Sequence, residues 1–172
     1  MKHWILDGYN VMHALDFIKR DLPFEIARER FISWVCPFQA LGDKSVTIVF
    51  DDNVHAPGPH ELHPRIRVIY SPEGFNADGT MLSLVRQMPP SQRPHVVAVT
   101  RDGMLRDALL GYSCTVISPE SFANEFQAYR SHTQRKADHL NFGQADKSFS
   151  YQPFKEFFGE NGREMGKNKE TF

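Results

Sequence analysis

Short, unbroken apolar runs alternate along this chain with segments of helical spacing, and that alternation limits the fold more than anything else in the sequence. The runs are Trp4-Ile5-Leu6, Val46-Thr47-Ile48-Val49-Phe50, residues 65–70, His95 to Thr100 and Cys114 to Ile117. A strand that is apolar at nearly every position has no solvent face, so it belongs in a sheet covered on both sides. The expectation is an α/β, three-layer fold with a central, mostly parallel sheet. The chain's 172 residues, 41 % of them hydrophobic, suffice for one domain with a sizeable core.

The segments between the runs read as follows. Asp7-Gly8-Tyr9-Asn10 is a turn after the first strand, since Gly and Asn accept backbone conformations a strand does not. Asp21 and Pro23 open a helix whose buried face carries Ala27, Phe31, Trp34, Val35, Phe38 and Leu41. Pro37 is expected to kink or end it near Cys36. A Pro- and His-rich stretch from Val54 to Pro64 reads as a loop, Phe75 to Met88 as a helix and Asp102 to Leu110 as a shorter one. Ser118-Pro119 supplies an N-cap and first helical position for a helix burying Phe122, Phe126 and Tyr129. Composition turns polar near Thr133, so the domain is read as 1–132. A C-terminal extension, 133–172, carries an aromatic island at 149–158 and an expected disordered tail from Gly159.

With 20 Lys+Arg against 21 Asp+Glu the net charge is -1, which excludes a polybasic protein whose affinity comes from bulk charge. A nucleic-acid enzyme that uses a local basic patch or metal ions stays open. No apolar run approaches the roughly 20 residues of a transmembrane helix, so no membrane partner is expected. The N-terminus lacks the apolar stretch of a signal peptide, and a soluble, cytoplasmic protein is expected. Cys36 and Cys114 make neither a disulfide framework nor a zinc spacing.

The acids fall where an open parallel sheet binds ligands. Asp7 and Asp51 end the first two long runs, Asp102 follows the run ending at Thr100, and Asp78 lies in the first turn of the helix beginning near Phe75. If the strand order is 3-2-1-4-5, the order reverses between the first and fourth strands, and Asp7 and Asp102 come side by side. Asp after a strand is also a common turn former or helix cap, so each alone is ambiguous. Together they would repel unless a cation neutralises them, and a hard divalent ion with oxygen ligands answers that need. Such a site suits metal-assisted attack of water on a phosphodiester. Asp52, one residue further out, reads as the solvent-facing or helping member of its pair.

Leu6-Asp7-Gly8-Tyr9-Asn10-Val11, Ile48-Val49-Phe50-Asp51, Asn76-Ala77-Asp78 and Val99-Thr100-Arg101-Asp102 together resemble, in order and spacing, the YacP-like NYN domains, PIN-like metal-dependent ribonucleases. The resemblance covers roughly Trp4 to Tyr129, and D-G-Y-N is its most distinctive element. It implies a PIN-like (Rossmann-like) fold and an endoribonuclease using Mg²⁺ or Mn²⁺ on single-stranded RNA, whether mRNA, rRNA or tRNA, with the ribosome as a further partner. It carries metal ligation onto Asp7, Asp78 and Asp102, gives Asp51 a direct or water-mediated part, and has Asn10 orient Asp7 or a bound water. The chain departs at Gly79-Thr80, where relatives often carry a further acid. That departure favours the runner-up, a catalytically weak RNA- or ribosome-binding module of the same fold.

Other residues were weighed against plainer duties. Tyr9 and Phe75 suit base stacking, though Phe75 equally suits a hydrophobic contact at its helix start. Arg101 adjoins Asp102 and suits a phosphate contact, whereas Arg28, Arg30, Arg65, Arg67 and Arg106 read as solvated faces. His55, His60 and His63 share one loop without a fourth zinc ligand, and His13 reads as a surface residue. No G-x-x-x-x-G-K-[ST] cradle exists, which rejects a P-loop NTPase. Asp7-Gly8-Tyr9 lacks the second aspartate of aspartyl-phosphate phosphatases. A phosphate-receiving signalling domain would need a lysine after its last strand, and none stands between Cys114 and Pro119.

Overall fold

The computed structural model describes residues 1–40, 43–51, 60–63, 66–72 and 74–141, with side chains left aside at 40, 60–63 and 132–141. Five parallel strands form the sheet: β1 (Lys2–Asp7), β2 (Lys44–Phe50), β4 (Ile66–Tyr70), β5 (Val96–Val99) and β6 (Thr115–Ile117), with β3 (His60–His63) antiparallel on the edge. The spatial order is β3-β4-β2-β1-β5-β6, so the five parallel strands run 3-2-1-4-5 in their own sequence order. The order reverses beside β1, which pairs β2 on one side and β5 on the other.

Alternation along the strands divides the core. Trp4 and Leu6 of β1 face one layer, built from α1 (Gly8–Ala14), α2 (Phe24–Ala40) and α5 (Pro119–Asn141). Ile5 faces the other, built from α3 (Ala77–Gln87) and α4 (Gly103–Gly111). The first layer is aromatic: Trp4 meets Phe38 edge-on at 4.9 Å, and Trp34 meets Phe126 at 4.8 Å. Each such pair adds about 1 kcal/mol beyond the area it buries.

The structure refines several local readings. Gly8-Tyr9-Asn10 is the first turn of α1 and not an isolated turn, because the Asp7 carboxylate caps the helix at once. Gly8 is required there by close approach: a Cβ would lie 2.4 Å from the Phe50 ring and 2.9 Å from the Val49 carbonyl oxygen. Pro37 lies inside α2, which runs on to Ala40, with Phe31, Val35 and Phe38 all buried on the same core. His60–His63, read as loop, pairs with β4 as a short edge strand. Four residues with one bulged register carry no periodic signal, so only the neighbouring strand makes them a strand. α5 continues past residue 132, and the composition change at Thr133 falls within it. The aromatic island at 149–158 and the tail from Gly159 lie outside the described residues. Among the described residues no helix is long and apolar enough to cross a membrane.

Candidate active site

The register of the central strands brings the acids to one edge. Leu6 pairs with Val99, so Asp7 stands level with Thr100, and Asp51 lies two residues beyond Val49, the partner of Asp7. Asp7 is only 7 % exposed. Its Oδ1 accepts the Asn10 backbone N–H at 3.2 Å, and its Oδ2 accepts the Thr100 hydroxyl at 3.3 Å. Burial pushes the Asp7 carboxyl up to about 6. The bonds from Asn10 and Thr100 oppose that rise, and the negative charges of Asp78 and Asp102 add to it.

Thr100 joins two of the acids. Its hydroxyl donates to Asp7, and its oxygen accepts the Asp102 backbone N–H at 3.0 Å. The Asp102 side chain then caps α4, with Oδ1 accepting the Leu105 N–H at 2.7 Å. Asn10 makes a second tie: its Oδ1 accepts the Arg101 backbone N–H at 2.9 Å, holding the start of α1 against the turn that carries Asp102. Asn10 therefore supports both acids, one through its backbone and the other through its side chain.

Asp78 arrives from the opposite layer, in the first turn of α3. Asn76 does the capping there, its Oδ1 accepting the Gly79 N–H at 2.9 Å. Thr80 is buried and its hydroxyl is committed to Ser71 Oγ and the Asn76 carbonyl, both at 3.0 Å. Asp78 itself makes no hydrogen bond or ion pair among the described residues. Its carboxyl is raised by burial, then by the charges of Asp102 and Asp51. Asp51 is exposed just past β2. The four acids thus share one electrostatic neighbourhood: Asp7 and Asp102 cap helices, and Asp78 lies in the first turn of α3, where a negative charge also suits the helix dipole.

The other residues singled out from the sequence are placed as follows. Tyr9 is half-buried between Phe24, at 4.9 Å, and Phe50, at 5.0 Å. The Arg101 guanidinium is bonded to Glu120 at the start of α5. Arg106 pairs with Asp107, and Arg28 sits over the Tyr70 ring at 5.2 Å. Arg30 and Arg67 are exposed, as is His13 in the last turn of α1. Phe75 stands 61 % exposed beside the α3 cap. Asp52, His55 and Arg65 lie outside the described residues, as do the side chains of His60 and His63. Thr100 and Asn76 stand within the motifs quoted above, but the sequence assigns neither of them a role. The available signals were a hydroxyl residue at a strand end and an Asn three residues before Gly79.

No three His, Cys, Asp or Glu side chains among the described residues form a ready-made metal cage. The donor set still suits a hydrated hard cation, which takes one or two direct carboxylates and keeps several waters. The donors are all oxygen, and among the described residues the charges acting on Asp7 are those of the acids Asp78 and Asp102.

Comparison with known proteins agrees with this architecture. Two crystal structures of Rae1 (YacP) from Bacillus subtilis, one of them of a mutant, share the fold. The mutant gives a TM-score of 0.67 at 21 % identity, covering 85 % of this chain and 87 % of that one. The other gives 0.64 at 21 % identity, covering 83 % of each. No curated protein matches the sequence significantly. Residues 4–156 match the profile of the YacP-like NYN domain, a span that takes in all four acids, and the chain belongs to that family.

Proposed function

We propose that this protein is a metal-dependent endoribonuclease that hydrolyses single-stranded RNA at the carboxylate cluster. Membership of the YacP-like NYN family points to a nuclease-type, RNA-related function. The observation that carries the finer reading is the convergence of Asp7, Asp78 and Asp102 from β1, α3 and the β5–α4 turn, with each of Asp7 and Asp78 feeling the charges of other acids. In this reading those three acids hold Mg²⁺ or Mn²⁺, and Asp51 assists through its proximity to Asp78. Such an ion, when bound, activates water and neutralises charge developing on the phosphate. The chain's own contribution is positional. Thr100 and the Asn10 amide fix the Asp7 carboxylate, and the Asn10 side chain fixes the turn that carries Asp102.

The test is cleavage of an unstructured RNA with Mg²⁺ or Mn²⁺, and with EDTA. Metal-dependent cleavage leaving 5′-phosphate and 3′-hydroxyl ends is expected, since water and not the RNA 2′-hydroxyl is the nucleophile. Undiminished activity in EDTA, or 2′,3′-cyclic phosphate ends, overturns the proposal. A second reading is an RNA- or ribosome-binding module that cleaves poorly. It is favoured by Gly79-Thr80, which adds no carboxylate to α3 after Asp78. RNA that is bound but left intact in Mn²⁺ identifies that module.

A further inference from the structure

Among the described residues Phe75 is the most exposed aromatic ring. It is 61 % exposed, immediately before the Asn76 cap and three residues before Asp78. A phenyl ring left in water forgoes the stabilisation that burial would bring, up to about 3 kcal/mol. At Gly79, one turn along α3, a Cβ would lie 3.9 Å from the edge of the Phe75 ring and 3.1 Å from the Asn76 Oδ1. A Cβ there would press on the cap oxygen and come into ordinary contact with the ring. Glycine leaves bare helix backbone next to an exposed aromatic edge, on the same first turn as Asp78.

We infer that Phe75, with the bare backbone at Gly79 beside it, is a stacking seat for one unpaired nucleobase of an RNA strand whose backbone passes Asp78. The inference rests on the RNA-directed reading above and specifies how the strand is held. An aromatic face recognises a nucleobase by stacking and tolerates any sequence, because every base has a π-face. It needs the base free of its duplex neighbours, which selects single strands, loops or ends over helical RNA. Gly79 then has a use of its own: an acid at that position would place a negative charge and added bulk against both the seated base and the phosphate beside it.

The experiment compares wild type, Phe75→Ala and Phe75→Trp in binding a labelled, unstructured RNA decamer in EDTA, with a duplex of equal length as control. The same variants are then assayed for cleavage in Mn²⁺, and melts confirm that the folds match. Phe75→Ala is expected to weaken single-strand binding about tenfold, as for loss of one base–aromatic stack, and to raise KM with little change in kcat. Phe75→Trp should bind as tightly as wild type or more so, and duplex binding should be unmoved. Equal single-strand affinity of wild type and Phe75→Ala overturns the inference, as does no measurable affinity in wild type or an equal loss on the duplex. Because binding is read in EDTA, RNA left intact in Mn²⁺ refutes the nuclease reading while the stacking seat stands or falls by itself.

Discussion

Two charged side chains are buried at opposite ends of the sheet, and they are accommodated differently. Asp7 closes β1 at 7 % exposure, and Lys44 opens β2 at 5 %. The Lys44 Nζ makes no hydrogen bond among the described residues, but it rests 4.1 Å from the Phe38 ring centre and 3.3 Å from that of Tyr129. Burial lowers its pKa, and the negative charge of Glu125 opposes that shift. Aromatic faces and an opposite charge compensate the buried ammonium. Asp7 has hydrogen bonds, but the charges that reach it are of its own sign. A fold that only needed a helix cap at Asp7 had no reason to set Asp78 and Asp102 around it. The lysine is surrounded by groups that offset its charge, whereas the aspartate is surrounded by groups that add to it.

The largest expected effect separates the two ends by activity. Asp7→Asn and Asp102→Asn should each lower RNA cleavage in Mg²⁺ by on the order of 10²–10³, the usual cost of one well-placed electrostatic contact. Stability should hold in both, because asparagine caps helices about as well as aspartate and crowded acids repel without metal. Near-normal turnover of Asp102→Asn in a cleavage assay would remove that residue from the site.

A smaller effect appears in metal-free stability against pH. The Asp7 carboxyl is raised in the folded state from 3.8 to about 6, so folding favours its protonated form. The stability it contributes is fully present below the unfolded value of 3.8 and is lost as pH rises through about 6. Across that window the loss should reach roughly 3 kcal/mol. Denaturant titrations in EDTA from pH 4 to 7 should show this decline in wild type and a flatter profile in Asp7→Asn. Parallel profiles for the two would contradict the account of Asp7.

The smallest effect belongs to the other end. Lys44→Met removes a buried charge and keeps a long apolar stem, so stability should stay within about 1 kcal/mol of wild type or rise. Cleavage should not change, since Lys44 stands at the opposite edge from the acids. A loss of several kcal/mol in a denaturant melt would show that the two rings bind the ammonium more strongly than water does.

Much of this molecule follows from local sequence. Unbroken apolar runs, β-branched and separated by helical spacing, determine five parallel strands between two helical layers, because only a doubly covered sheet leaves such strands dry. Acids placed at or just past three strand ends and in the first turn of α3 follow in the same way, since register and strand order then bring them to one edge. What the sequence does not determine is whatever depends on distant partners. Thr100 meets Asp7 across 93 positions and Asn10 meets Arg101 across 91, and no period or turn signal reaches that far. Tyr9 goes into an aromatic cluster, and the Arg101 guanidinium turns to Glu120, because those neighbours are supplied by other elements. His60–His63 becomes a strand only because β4 offers it a free edge. Backbone pattern is a local property and is legible in the chain; the direction a polar side chain takes is decided by which groups the folded sheet brings within a hydrogen bond of it.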